Sequence, residues 1–233
     1  MTAVLKVGHG RGFAVNRRHH LGHDERVIIT AAHCLEHALL VNGTEGLPPC
    51  HPGRFSEEET YKSLLGRLGE EPTVWAQCLF ADPIADIAVL GQPDSQAFTE
   101  VDAFDPDAYD EFIDSMEVLT VADAPAQGVE TVSRLGGYQF KVPTAGEGRA
   151  RVLSLDGEWR EGRIKRSRDW LTFEPGELLV PGMSGSPILN IAGAAIAVVS
   201  VDGGPVIVDR LSATLVRGIV AAAEADRADT LPS

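Results

Sequence analysis

The chain is poor in cysteine, poor in aromatic residues and free of long apolar runs. Among 233 residues there are three cysteines, Cys34, Cys50 and Cys78. So sparse and odd a set does not form a disulfide framework, although a Cys50–Cys78 bridge stays open. No apolar stretch approaches the roughly 20 residues that a membrane-spanning helix needs. The first eight residues lack both a basic start and a long apolar stretch, so no signal peptide is expected. Reduced thiols in the cytoplasm follow as the default expectation. Repeats, heptads and low-complexity tracts are also missing. Hydrophobic residues at 44% and charged residues at 23% leave an ordinary globular chain with enough apolar surface for a core.

Charge of one sign is scarce. Twenty Lys and Arg face 34 Asp and Glu, a formal net charge of −14. Such a chain repels phosphate backbones and anionic lipid, so neither nucleic acid nor a membrane surface is expected as a partner. Residues 68–133 hold fifteen acids and no Lys or Arg, whereas residues 149–168 hold seven bases. Both stretches read as solvated surface. The basic stretch has Trp159 and Trp170 but lacks the interleaved aromatics of a single-strand binding track. The acidic 100–117 stretch is a candidate docking face for a charged partner.

Short apolar or alternating runs recur between turn residues. They predict strands near 4–7, 12–16, 26–30, 38–41, 74–80, 84–90, 118–121, 150–155, 170–173, 187–190, 194–201 and 206–208. This is the pattern of an all-β sandwich or barrel. Residues 44–73, rich in Pro, Gly and charge, read as an insertion loop. Ser56 and Glu59 there resemble a capping box ahead of a short helix carrying Tyr61, Leu64 and Leu65. Residues 107–116 suggest an acidic surface helix. Residues 211–225 suggest a terminal one, with Leu211, Leu215, Ile219 and Ala222 on one face. Gly136-Gly137 and residues 143–148 read as turns.

Three segments carry chemistry. Thr30-Ala31-Ala32-His33-Cys34 ends an apolar strand on a histidine. Asp86-Ile87-Ala88-Val89-Leu90 opens one with an aspartate. Gly182-Met183-Ser184-Gly185-Ser186-Pro187 places a serine in a glycine-rich bend. Alone, each residue has a structural explanation: a packed imidazole, a strand start, a turn. Together, in the order His, Asp, Ser, they match a known triad order. A serine hydroxyl is a weak nucleophile near neutral pH and needs a base such as imidazole. A carboxylate on the far ring nitrogen fixes the tautomer, and glycines let backbone N–H groups face a developing oxyanion.

These segments resemble the trypsin-like, chymotrypsin-fold serine proteases, in their bacterial intracellular form. Gly10-Arg11-Gly12-Phe13-Ala14-Val15 is similar to the family's opening strand. Ala197-Val198-Val199-Ser200-Val201-Asp202-Gly203 is similar to the strand that lines its cleft. The resemblance spans about residues 8–226. It implies an all-β fold of two six-stranded antiparallel β-barrels with a C-terminal helix over 211–226. The N-terminal barrel would occupy 1–105, with the 44–73 insertion, and the C-terminal one 106–233. It implies a serine endopeptidase acting on a protein or peptide substrate through an acyl-enzyme. His33 would be the general base and then acid, Asp86 its orienter and Ser184 the nucleophile. The N–H groups of Gly182 and Ser184 would form the oxyanion hole.

Departures from the family refine this. Met183 stands where the digestive members carry an acid that pairs with a cut N-terminus, so no zymogen step is expected. Arg18 stands where a cysteine would bridge to Cys34. Leu178 replaces the acid that selects Lys or Arg in trypsin, which leans toward small or aliphatic residues at the cleavage position. Asp202 or Asp209 could still supply a carboxylate there. A multi-domain heat-shock architecture with a PDZ-like segment after the protease unit is not expected.

The seven histidines all lie within the first 51 residues. His19, His20, His23, Cys50 and His51 are donors of a type that zinc accepts, but their spacing matches no zinc pattern. Residues 16–23 read as a polar hairpin loop, and neither metal nor cofactor is expected. Two other functions compete with the endopeptidase: a catalytically silent protease-fold binding module, and an esterase using the same machinery. The serine lacks the strand–elbow–helix setting of the α/β-hydrolases.

Overall fold

A computed structural model describes residues 3–18, 24–35, 38–40, 59–82, 86–94, 104–121, 128–135, 138–144, 146–167, 170–174, 179–200 and 206–207. The fold is mostly β. Strands β1 (Val4–Val7), β2 (Gly10–Arg18), β3 (Asp24–Thr30), β4 (Leu39–Leu40), β5 (Thr60–Gly66), β6 (Val74–Asp82) and β7 (Ile87–Gly91) form the first sheet. The order β1-β2-β3-β7-β6-β5 closes because β5 pairs back onto β1, Val7 opposite Leu65. The result is the expected six-stranded barrel. Its interior is filled by inward residues such as Phe13, Ile29, Leu65, Cys78 and Leu90, all fully buried. Helix α1 (Ala108–Asp114) turns Tyr109 and Ile113 onto this core and its acids outward, in agreement with the helix expected over 107–116.

Strand β8 (Val118–Leu119) runs parallel to β2, and the chain then meets the second sheet, where the Ala195 N–H donates to Thr120 O at 2.8 Å. Strands β9 (Gly128–Leu135) and β10 (Tyr138–Thr144) form a separate antiparallel pair. Strands β11 (Gly146–Leu153), β12 (Trp159–Ser167), β13 (Trp170–Glu174), β14 (Pro187–Asn190), β15 (Ala195–Val198) and β16 (Val206–Ile207) form a six-stranded sheet in the order β15-β14-β11-β12-β13-β16. Among the described residues this sheet is not closed, so one barrel and one open sheet stand where two barrels were expected. Its core holds Val152, Ile164, Met183, Ile188 and Ile196. Leu189, Ala195 and Val198 face the other way and join the core of the barrel, so the two bodies share packed surface.

Four strands escaped the pattern reading. The helix expected to carry Tyr61, Leu64 and Leu65 is strand β5, a wall of the barrel and not part of an insertion loop. Ser63 sits at φ 48° and the register with β6 slips between Tyr61 and Leu65. That bulge buries residues at a spacing that imitates a helix. Pro143 and Gly148 belong to β10 and β11 rather than a turn. The proline is tolerated because β10 slips register between Val142 and Thr144. Strand β12 is dense in Arg and Glu, and β9 lies in polar sequence; neither shows a continuous apolar signal. The expected helix over 211–226, the turn at Gly136-Gly137 and residues 44–58 of the 44–73 loop lie outside the described residues. Among the described residues no helix is long and apolar enough to cross a membrane.

The barrel core makes a quantitative prediction. Leu90, in β7, is fully buried in the barrel core. Leu90→Ala is expected to lower the stability of the folded chain by about 2–5 kcal/mol in urea titrations, through lost burial and an unfilled cavity.

Candidate active site

The barrel register brings His33 and Asp86 together. β3 and β7 pair antiparallel, with Thr30 opposite Ala88. His33 lies three residues beyond Thr30, in a 3₁₀ turn over Ala32–Leu35, and Asp86 two residues before Ala88. Both therefore emerge at the same end of the same strand pair. Asp86 Oδ2 accepts from the His33 ring at Nδ1, 2.8 Å away, and Oδ1 accepts the His33 backbone N–H at 2.9 Å. The carboxylate can only accept, so the ring carries its proton on Nδ1. Asp86 holds φ +53°, a left-handed conformation that costs a non-glycine residue about 1–2 kcal/mol. The two bonds to His33 offset that cost and lock the imidazole to the barrel.

The Asp86 side chain is 11% exposed and that of His33 32%. Burial alone pushes the Asp86 carboxyl up. The hydrogen bonds from the His33 ring, the Ser200 hydroxyl and the His33 N–H outweigh it and hold the group below its ordinary value. Ser200 was not singled out from sequence. Its hydroxyl is buried and donates to Asp86 Oδ2. The signal was a lone hydroxyl in the apolar run 194–201, which demands a partner once buried.

Ser184 sits half-buried in the bend before β14. Its Oγ donates to the carbonyl of Ser200 at 3.2 Å. Ser200 thus bonds Asp86 through its hydroxyl and Ser184 through its carbonyl, which connects all three sequence-predicted groups. The loop is also stitched to the barrel. The Arg11 N–H donates to Ser184 O at 2.7 Å, while the Gly185 N–H ties the loop to its own body through Val199 O at 2.7 Å. Thr30 Oγ1, three residues before His33, donates to Arg11 O at 2.7 Å. Gly185 lies at φ +83°, and a Cβ there would come within 1.8 Å of Arg11 O. No larger residue fits this contact, so glycine is what allows the serine loop to touch β2. Gly182, at φ +90°, turns the backbone of the bend. Among the described residues, neither its N–H nor that of Ser184 has a hydrogen-bond partner in the protein.

Met183, at the position where an acid was noted as missing, is fully buried in the core of the second sheet. Cys34 is a buried thiol in the barrel core whose pKa burial pushes up to about 11, so it lacks thiolate character. Leu178, Asp202, Asp209, Cys50 and the cluster of His19, His20, His23, His37 and His51 lie outside the described residues. Among the described residues no group of three or more His, Cys, Asp or Glu is placed to hold a metal ion.

No family model and no curated protein matches this chain. Among solved structures it is similar to the serine protease of a human pathogenic astrovirus, with 16% identity and a TM-score of 0.44 over 89% of this chain and 88% of that one. A likeness at this level carries no inference about activity.

The Asp86 site predicts a pH dependence. A carboxyl held below its unfolded value stabilises the fold above about pH 4, the ordinary aspartate range, and loses that contribution as pH falls through its lower folded value. The stability gap between wild type and Asp86→Asn should be full at pH 7 and shrink on acidification below pH about 4, as read by urea denaturation at several pH values.

Proposed function

We propose that the chain is a serine hydrolase of the endopeptidase type, acting on protein or peptide substrates. The observation that carries this reading is the two-point hold of Asp86 on His33, linked through Ser200 to the hydroxyl of Ser184. A packed histidine needs one partner, and a turn serine needs none. A carboxylate that fixes both ring and backbone of a half-exposed imidazole, beside a serine whose neighbouring N–H groups are unused, is what acyl transfer requires.

In this reading Ser184 Oγ attacks the scissile carbonyl and Nε2 of His33 takes its proton. The carbonyl oxygen becomes an oxyanion held by the N–H groups of Gly182 and Ser184. Collapse of that adduct breaks the C–N bond, and His33 returns the proton to the leaving amine. Water repeats the sequence on the acyl-enzyme and frees Ser184. Asp86 stays ionised throughout and stabilises the imidazolium, and Ser200 positions Asp86. Each oxyanion donor contributes on the order of 10²–10³ in rate.

The donation of the Ser184 hydroxyl to the carbonyl of Ser200 favours a second reading, the silent binding module, because there the nucleophile's proton is directed at an oxygen that cannot act as a base. One experiment separates the two. A fluorophosphonate probe is expected to label wild type and not Ser184→Ala. The rate of labelling should rise with pH through the single ionisation that leaves the His33 ring neutral and able to act as a base. Because Asp86 is held below its ordinary value, no second inflection is expected above pH about 4. Absence of labelling, or equal labelling of Ser184→Ala, would overturn the hydrolase.

A further inference from the structure

A cavity of about 400 Å³ opens beside Gly182, between the start of β2 and the turn that joins β11 to β12. Two cations, Lys6 and Arg11, line it. Lys6 and Arg11 stand directly opposite each other on β1 and β2, so both side chains leave the same face of the sheet. The Arg11 side chain is buried, and its guanidinium donates to the carbonyls of Leu153 and Ser154, at 2.7 and 3.2 Å. Those are neutral acceptors. Among the described residues neither cation is paired with a carboxylate.

Asp156 lines the same cavity, but its charge is already matched. The Ser154 hydroxyl, the Glu158 N–H and the Arg160 guanidinium, 2.5 Å away, hold it as a carboxylate with a pKa lowered to about 2. A chain with a net charge of −14 therefore keeps two uncompensated cations at the mouth of its oxyanion loop. Like charges directly across a strand pair are destabilising, and a half-buried cation without a counter-ion is a ready partner for an anion. Leu155, 53% exposed, forms an apolar wall and lies 3.7 Å from where a side chain at Gly182 would begin. An anion entering here would sit beside the N–H group assigned to the oxyanion.

We propose that this cavity is a substrate subsite next to the scissile bond that takes a carboxylate, held by the Lys6 ammonium above the Arg11 guanidinium. The proposal rests on the hydrolase reading and names its substrate class: peptides with an acidic residue, or a free C-terminus, adjoining the cleaved bond. Arg11 also fastens the β11–β12 turn, so Lys6, at the partly exposed end, is the residue to change.

The test uses the full chain and a fluorogenic peptide set. Glu replaces Gln at each of the three positions on either side of the cleaved bond, and a matched pair of short peptides ends in a carboxylate or an amide. Wild type is expected to favour Glu over Gln at one position, or carboxylate over amide, by about tenfold in kcat/KM, as a charge-assisted contact supplies. The first result assigns an internal acidic side chain, the second a C-terminal carboxylate. Lys6→Gln should collapse that ratio toward one, and Lys6→Glu should turn it toward Lys over Gln. Protein that labels with fluorophosphonate but shows no acidic preference, or keeps it in Lys6→Gln, overturns the subsite and leaves the hydrolase. Protein that neither labels nor cleaves removes both.

Discussion

The grip of Asp86 on His33 is the constraint around which the rest of the site is arranged. One carboxylate accepts from both the ring and the backbone of the same histidine, so neither the rotation of the imidazole nor the position of its turn is free. The register of β3 on β7 sets that distance, because both residues lie just past paired ends of the two strands. Closure of the barrel through β1 and β5 keeps that register from slipping. The site thus inherits its precision from the most buried part of the molecule, as a preorganised site must.

The second sheet contributes the hydroxyl, and the difficulty is to hold a loop from one body against another. Two backbone contacts do this: Arg11 N–H to Ser184 O, and the close passage of Gly185 by Arg11 O. Arg11 then reaches with its side chain to the end of β11. A single residue of β2 is in this way bonded to the serine loop through its backbone and to the neighbouring turn through its guanidinium. Leu189, Ala195 and Val198 add apolar contact behind the joint. The second sheet does not need to close to position Ser184; it needs β14 and β15 against the barrel, and these are in place.

Much of this was legible in sequence because it depends on local chemistry. Apolar strands that end on His33 and begin at Asp86, and a glycine-rich bend at Ser184, mark positions that the structure brings into one connected set. What was not legible depends on pairing. Strand β5 looked helical because the bulge at Ser63 shifts its buried residues to helical spacing. Strand β12 read only as solvated surface because Ile164 supplies its inward contact while Arg160, Glu161 and Arg163 are exposed. Ser200 was hidden in an apolar run, and its role exists only once Asp86 has folded over it. The cation pair of Lys6 and Arg11 is invisible five residues apart in sequence and obvious once β1 and β2 are in register.

The most direct test of the central claim is the protonation state of the His33 ring, read by nitrogen NMR on protein labelled at histidine. With Asp86 in place, the neutral ring is expected to carry its proton on Nδ1, leaving the lone pair of Nε2 for the serine. A neutral ring protonated on Nε2, or a tautomer that is the same in Asp86→Asn, would contradict the account.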